Sequence, residues 1–519
     1  MSRSRVAAAF GVGALLGAFG VGSVLLSSCE SDTPRADADL PSSELNLLMI
    51  AINNVAWGHM SLAGYGRDTT PNLDRWARDA VVFENFYSHC SWTLPAGTSL
   101  FTSLYPYTHG VLDRYHGNLL DDDVMPLAEV LSRNGYETAA FTGGLDYKPI
   151  FGHMRGFDEI ADNDNFTSFE TTFAQAREWI ESRDDGGGFF CFVHGYDAHS
   201  PFNPPDRFKG VFSNLDGKNI TVTTQYSLRG YQAEEGRYVA HYIWNEDPFL
   251  KESAEKRSNK RFSMERRVEL TQDDIEYLTA LYDEEVLHID SLLDRFLRSI
   301  DGEVLRNTIV VILSEHGEMF AKHGRFGRAG TVRGNLYDDV VHVPFLLRAP
   351  GLEGKRVDAL AQMIDVMPTV LEIMGISPPV GAQGRSLLPA VGGVVEVNDF
   401  GFAGGRFNHA RKKQHPFFWA ETINESIRSR RWKLIRELIH PAGKGWDRIE
   451  AAETFELYDV MDDGDEGLNV ADENPRVLAE LSDRLATWAA ASKKSGAAEP
   501  ATVEVPRAME QEAREKGYW

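Results

Sequence analysis

Two apolar runs in this chain end in side chains able to hold a cation or an anion. Leu45 to Ile52 ends in Asn53-Asn54, and Thr308 to Leu313 ends in Ser314-Glu315-His316-Gly317-Glu318. Two amide oxygens, a carboxylate and an imidazole are together ligand types for a divalent metal. The same residues would serve as capping turns that close strand ends. Between the runs lies Trp92-Thr93-Leu94-Pro95-Ala96-Gly97, where the proline two residues after Thr93 favours a first helical turn. Thr93 could cap that helix through its hydroxyl. Beside a metal, the same hydroxyl at a positive helix end could act as a nucleophile.

Such residues need a sheet to bring them together. From Leu45 to about Pro389 apolar runs alternate with helical patterns. Strands are predicted at 45–52, 136–141, 189–193, 308–313 and 343–348. Helices are predicted from Thr70 to about Ala80, from Pro126 to Asn134 and from Asp273 to Ile300. This alternation predicts an α/β fold, a mostly parallel central sheet covered by helices on both faces. In such sheets, sites form beyond the carboxyl ends of the strands, where Asn53 and Ser314 stand. Residues 391–490 change texture. Ser426 to Arg436 alternates like antiparallel strands, Phe455 to Val460 adds another, and Pro475 to Ala490 is an amphipathic helix. They predict a smaller C-terminal subdomain of antiparallel sheet plus helix, followed by a tail over 491–519. Residues 206–268 interrupt the α/β rhythm as an insertion, with seven Lys/Arg against three Glu between Lys251 and Arg267. They read as a solvated surface, or as a lid that recruits an anionic ligand.

At 519 residues and 43% hydrophobic content the chain can bury a large core, and its net charge of −24 argues against nucleic acid as a partner. Arg3 and Arg5 precede an apolar run from Val6 to Leu26, then Ser27-Ser28-Cys29. A basic start, an apolar stretch and small residues before a cut describe a secretory signal over 1–28. The end of that run resembles the bacterial lipobox. This implies lipidation at Cys29, a flexible tether over 29–44, and a protein anchored to the membrane of the bacterial cell envelope, facing the periplasm or exterior. A plain transmembrane anchor is the alternative. Of the remaining cysteines, Cys90 and Cys191 could pair in an oxidising compartment, but Cys191 sits in an apolar run and is expected as a buried thiol.

Several ordered segments resemble the sulfatase family of the alkaline phosphatase superfamily. They include Ser314-Glu315-His316-Gly317-Glu318, Thr70-Pro71-Asn72-Leu73, Tyr105-Pro106-Tyr107-Thr108-His109-Gly110, Arg155-Gly156-Phe157-Asp158 and His199-Ser200-Pro201-Phe202. Further matches are Asp365-Val366-Met367-Pro368-Thr369, Gly384-Arg385-Ser386-Leu387-Leu388 and Glu456-Leu457-Tyr458-Asp459. The resemblance runs from about Leu45 to Ala490. It implies a hydrolase of sulfate or phosphate esters, with metal ligands at Asn53, Asn54, Glu315 and His316. It implies a nucleophile at Thr93 and an ester-contacting histidine at His199. Arg328 falls where the family has a sulfate-binding lysine, and Arg325 lies beside it as a second cation for an anionic ester or sulfated glycan.

The pattern also departs from the family. Asn53-Asn54 replaces Asp-Asp or Asp-Thr, so two carboxylates are lost and calcium, the implied metal, is expected to bind weakly or not at all. Thr93 replaces the Cys or Ser that the family oxidises, so no formylglycine forms, and Gly97 replaces the motif arginine. The family's G-K-W-H loop is matched only by Thr142-Gly143-Gly144-Leu145. Two readings follow. One is a metal-dependent ester hydrolase acting through Thr93. The other, which the substitutions favour for sulfatase activity, is a non-catalytic pseudo-sulfatase that binds an anionic ligand or a protein at the membrane surface.

Overall fold

The computed structural model describes residues 45–112, 119–161, 163–183, 187–212, 271–324, 327–328, 335–394, 396–408, 420–441 and 452–495. It also gives the backbone of three short strands at Gln232–Glu234, Arg237–Ile243 and Ser263–Arg266, which pair in one antiparallel sheet. Residues 1–44, with the leader, Cys29 and the tether, lie outside the described residues, as do Arg325, most of the 206–268 insertion and the tail from 496.

In chain order the strands are β1 (Asn46–Ile52), β2 (Val81–Tyr87), β3 (Glu137–Phe141), β4 (Glu159–Ile160) and β5 (Phe189–Gly195). The three insertion strands are β6 to β8, and β9 (Thr308–Leu313), β10 (Phe345–Arg348) and β11 (Lys355–Gln362) follow. Eight of them form one sheet in the order β11-β2-β10-β9-β1-β5-β3-β4. Every neighbouring pair is parallel except those of β10, which runs antiparallel to β9 and β2. The mostly parallel sheet is therefore as the alternation predicts. β1 lies in its middle with every side chain buried, which is why it reads as a near-continuous apolar run.

The helices that matter to the site are α1 (Pro71–Trp76), α2 (Thr93–Thr102), α3 (Leu127–Arg133), α4 (Phe169–Glu181), α5 (Gln272–Ser299) and α6 (Val366–Ile373). Alternate residues of β1 feed two cores. Leu47 and Met49 pack with Phe101, Leu127 and Val370 on one face. Leu48 and Ile50 pack with Leu73, Phe173, Tyr282 and Phe296 on the other.

Several elements differ from the sequence reading. β2 and β11 are strands the apolar pattern does not announce, because β2 carries Glu84-Asn85 at its middle and β11 exposes Lys355, Arg356 and Asp358. β10 starts at Phe345 rather than Val343, and the Pro344 carbonyl before it accepts from Ser314 N at 3.3 Å. β5 continues two residues past Val193 and carries His194. Cys90 and Cys191 are both free, buried thiols.

The C-terminal part is an antiparallel sheet of β12 (Gly401–Asn408), β13 (Ala420–Arg428), β14 (Trp432–Pro441) and β15 (Ala452–Asp459) in sequence order. The helix α7 (Pro475–Ser495) lays Leu481, Leu485 and Trp488 against Ile427, Leu434 and Leu457 of that sheet. A buried ion cluster ties this sheet to the α/β core. Lys433 Nζ lies 2.6 Å from Asp338 and 2.5 Å from Glu466, and Arg428 lies 2.6 Å from Asp338.

Candidate active site

The carboxyl ends of β1, β5 and β9, three adjacent strands, converge at one point. β1 ends at Ile52, and the chain turns through Asn53 and Asn54. Asn54 has φ +67°, a left-handed conformation that asparagine tolerates better than most residues. The Tyr282 hydroxyl of α5 fastens this turn. It donates to the Asn54 carbonyl at 2.8 Å and accepts from Ala56 N at 2.9 Å. Ser314, after β9, ties the two strand ends together. Its hydroxyl accepts from Val55 N at 3.1 Å and donates to the His316 carbonyl at 2.8 Å. Gly317 is required here, since a Cβ would fall 2.3 Å from the Asp339 carbonyl oxygen.

His316 is fully buried. Its Nδ1 donates to the Gly317 carbonyl at 3.1 Å, which leaves the Nε2 lone pair facing the site. Burial and the nearby Arg328 charge push its pKa well below the usual histidine value, so the ring is neutral. The Thr93 hydroxyl lies 3.2 Å from Nε2, and Arg328 Nη1 lies 3.4 Å from it. Thr93 is the first residue of α2 rather than its cap. Trp92 holds the N-cap position with no side-chain cap, and the Thr93 hydroxyl turns to His316.

Arg328 spans the site. Nη1 donates to Asn54 Oδ1 at 3.0 Å, and Nη2 makes a short contact with His199 Nε2. Its backbone N–H donates to Glu318 Oε1 at 2.8 Å, while Asn54 Nδ2 donates to the other oxygen of Glu318 at 3.2 Å and to the Ala198 carbonyl at 2.7 Å. His199 Nδ1 lies 2.8 Å from the Ser200 carbonyl. Asn54, Thr93, His199, His316 and Arg328 are thus drawn together, while Asn53 and Glu315 meet at His194.

Glu315 accepts from the Tyr147 hydroxyl at 2.9 Å, and His194 Nε2 lies 3.2 Å from the same oxygen and 3.1 Å from the Asn53 amide. One Nε2 proton cannot serve both. With its proton on Nε2 the ring donates to Glu315, and with its proton on Nδ1 the ring accepts from Asn53 Nδ2, so the tautomer selects the partner. Asn53 Oδ1 and Glu315 Oε2 are buried with no hydrogen-bond partner among the described residues.

Sequence reasoning misses His194, Tyr147, Glu318 and Tyr282. His194 had a signal: it ends an apolar strand, as Asn53 and Ser314 do. Tyr147 lies two residues past Thr142-Gly143-Gly144-Leu145, in the turn that the family's lysine-bearing loop would occupy. Lys148 beside it points away, donating to the Asn163 carbonyl at 3.0 Å.

This donor set does not suit calcium, which takes six to eight oxygens. Among the described residues no three or more His, Cys, Asp or Glu side chains are placed to share an ion. The lone pairs of Asn54 Oδ1 and His316 Nε2 face a guanidinium instead. A divalent ion about 4 Å from that guanidinium would be repelled by about 8 kcal/mol at an effective dielectric of about 20.

The family model described as Sulfatase matches residues 46–376, and the one described as N-sulphoglucosamine sulphohydrolase, C-terminal, matches residues 331–491. The delta 4,5-hexuronate-2-O-sulfatase of Bacteroides thetaiotaomicron is 24% identical over 482 residues, covering 84% of this chain and 86% of that one. Arylsulfatase K of Rattus norvegicus is 28% identical over 443 residues, covering 78% and 71%. A solved structure in complex with its substrate D-glucosamine-2-N,6-O-disulfate aligns with a TM-score of 0.62 at 18% identity, over 87% of this chain and 99% of that one. The phosphonate monoester hydrolase of Agrobacterium radiobacter aligns with a TM-score of 0.62 at 20% identity, over 86% and 96%. The family match, the parallel sheet and the order of the motifs along it agree: the chain belongs to the sulfatase family.

Proposed function

We propose that this protein is a sulfatase-fold binder of sulfated glycans at the bacterial cell envelope, with weak or absent turnover of the ester. Its family is one of sulfuric ester hydrolases, and the names of its relatives specify sulfated sugars, which supports a sulfate ester as the ligand. The observation that carries the reading is the state of Thr93. A threonine carries a secondary alcohol and cannot give the aldehyde from which a formylglycine hydrate forms. Its hydroxyl rests 3.2 Å from a neutral imidazole, with amides rather than carboxylates at 53 and 54. Among the described residues no carboxylate cluster stands there to hold the metal charge that would lower the hydroxyl pKa enough to make an alkoxide. Arg328 and His199 are the groups suited to hold the sulfate, the first by its charge and fork geometry, the second as a polar contact to the ester. Lipidation at Cys29 would hold the cleft near the membrane, facing the periplasm or exterior.

The same Thr93–His316 contact favours a second reading, a hydrolase. A hydroxyl within reach of an imidazole lone pair is the geometry of a nucleophile and its base. One experiment separates the two. The full-length chain, purified in detergent, is assayed with aryl sulfate, aryl phosphate and sulfated glucosamine, with and without calcium, manganese and zinc. Ligand binding is followed in parallel by thermal shift. Binding without turnover is expected. Turnover that Thr93→Ala abolishes would establish the hydrolase and sink the binding-only reading.

A further inference from the structure

We propose that the Arg328 guanidinium is the resident cation of this pocket, standing in for the family's divalent metal, so that a sulfate or phosphate oxyanion is engaged without metal. His316 has one lone pair to give a cation, at Nε2, because Nδ1 is turned to the Gly317 carbonyl. Asn54 likewise has only Oδ1, because Nδ2 serves Ala198 and Glu318. Both atoms face the same nitrogen, Arg328 Nη1, at 3.4 and 3.0 Å. One guanidinium nitrogen therefore engages two of the four positions at which the family resemblance places metal ligands.

The surroundings hold it there. Glu318 grips the Arg328 backbone N–H with one oxygen and the Asn54 amide with the other, locking the two residues into one unit. The charges change in step. Asparagine at 53 and 54 withdraws the negative charge that a divalent ion needs, and a guanidinium brings half the charge of that ion. Arginine also stays charged at every accessible pH and forks onto oxyanions in two parallel hydrogen bonds. Its second nitrogen, Nη2, is directed at His199.

The choice of ligand rests on the function proposed above, whereas the choice of cation does not, and the test keeps them apart. The full-length chain is stripped with EDTA, dialysed against calcium chloride, and analysed for bound metal and for Tm. The wild type is expected to hold no stoichiometric calcium and to show no calcium-dependent Tm. The triple variant Asn53→Asp, Asn54→Asp, Arg328→Met is expected to bind calcium at least about tenfold more tightly than the double aspartate variant that keeps Arg328. Stoichiometric calcium in the wild type, or equal calcium affinity in the two variants, would overturn the proposal. Arg328→Gln gives a milder check that does not depend on the triple variant folding. Inorganic sulfate in EDTA is expected to raise the Tm of the wild type and not of this variant, and an equal rise in both would also overturn the proposal. A wild type that ignores sulfate while the calcium results hold would leave the cation assigned and refute the anion-binding function.

Discussion

Tyr147 and Gly97 fit together only because residue 97 has no side chain. A Cβ built on Gly97 falls 2.8 Å from the Tyr147 hydroxyl oxygen and 2.9 Å from its ring edge. Lying there, the hydroxyl reaches Glu315 at 2.9 Å. Where the family resemblance expects an arginine one turn after the nucleophile, this chain leaves a gap and fills it with a tyrosine from the turn after β3.

That pairing predicts a sign. In a helix interior Gly→Ala normally gains up to about 1 kcal/mol. Gly97→Ala should instead cost about 1–3 kcal/mol by overpacking, read from urea unfolding. Tyr147→Phe should cost about 1–3 kcal/mol by taking a donor from a buried carboxylate. The two should be non-additive, with Gly97→Ala milder in the Tyr147→Phe background because the closest contact atom is gone. Strict additivity would mean the contact is not tight.

Much of the fold is legible in the sequence. β1 and β9 are apolar because both faces of the sheet are covered, and the amphipathic period of α5 follows its burial against one face. The convergence of Asn53, Asn54, Glu315 and His316 follows from β1 and β9 being neighbours, as parallel strands with polar residues at their carboxyl ends should be. What the sequence hides is whatever depends on strand neighbours or rotamers. His194 enters because β5 pairs with β1 on its other side. The Thr93 hydroxyl could cap or face the site, and only the placement of His316 decides it. The direction of the Arg328 side chain has no signature in a linear pattern.

Asn54 combines an unusual backbone with a committed side chain, and substitutions can separate the two. Asn54→Gly keeps the left-handed φ at no steric cost but leaves Glu318 and the Ala198 carbonyl without their donor. A loss of about 1–3 kcal/mol in urea unfolding is expected. Asn54→Ala should lose about 1 kcal/mol more from backbone strain. Equal stability of the two variants would show that the conformation is not strained.

Lys433 is 1% exposed and serves both Asp338 and Glu466. Arg428 supports Asp338 from the other side, with its guanidinium 4.2 Å over the Tyr87 ring. Lys433→Met should cost about 3–5 kcal/mol, since it leaves buried carboxylates short of charge. Adding Glu466→Gln should restore part of that, because the amide keeps an acceptor for Asp338 N–H without the charge. If the double variant were no more stable than the single one, Glu466 would not be the group left uncompensated.

Stability should depend on pH in two regimes. Burial lowers His89 and His342 to about 4 and His109 and His153 to about 3. A depressed histidine stabilises the fold above its unfolded pKa of about 6.5 and loses that contribution as pH falls towards its folded pKa. Burial raises Asp290 and Asp365 to about 6, and their contribution runs the other way: full below pH about 4 and lost as pH rises through about 6. Between pH 6 and 4.5 the two sets oppose each other, but four histidines outnumber two acids, so stability should fall with pH by about 2.7 kcal/mol per unit. Below about pH 4 these two acids are protonated in both states and no longer oppose the histidines. His109 and His153 then contribute about 2.7 kcal/mol per pH unit to the slope. His153→Phe, which keeps an aromatic ring beside Phe101 and Phe151, should lower that slope by about 1.4 kcal/mol per unit. An unchanged slope would mean that His153 already carries its proton in the folded protein.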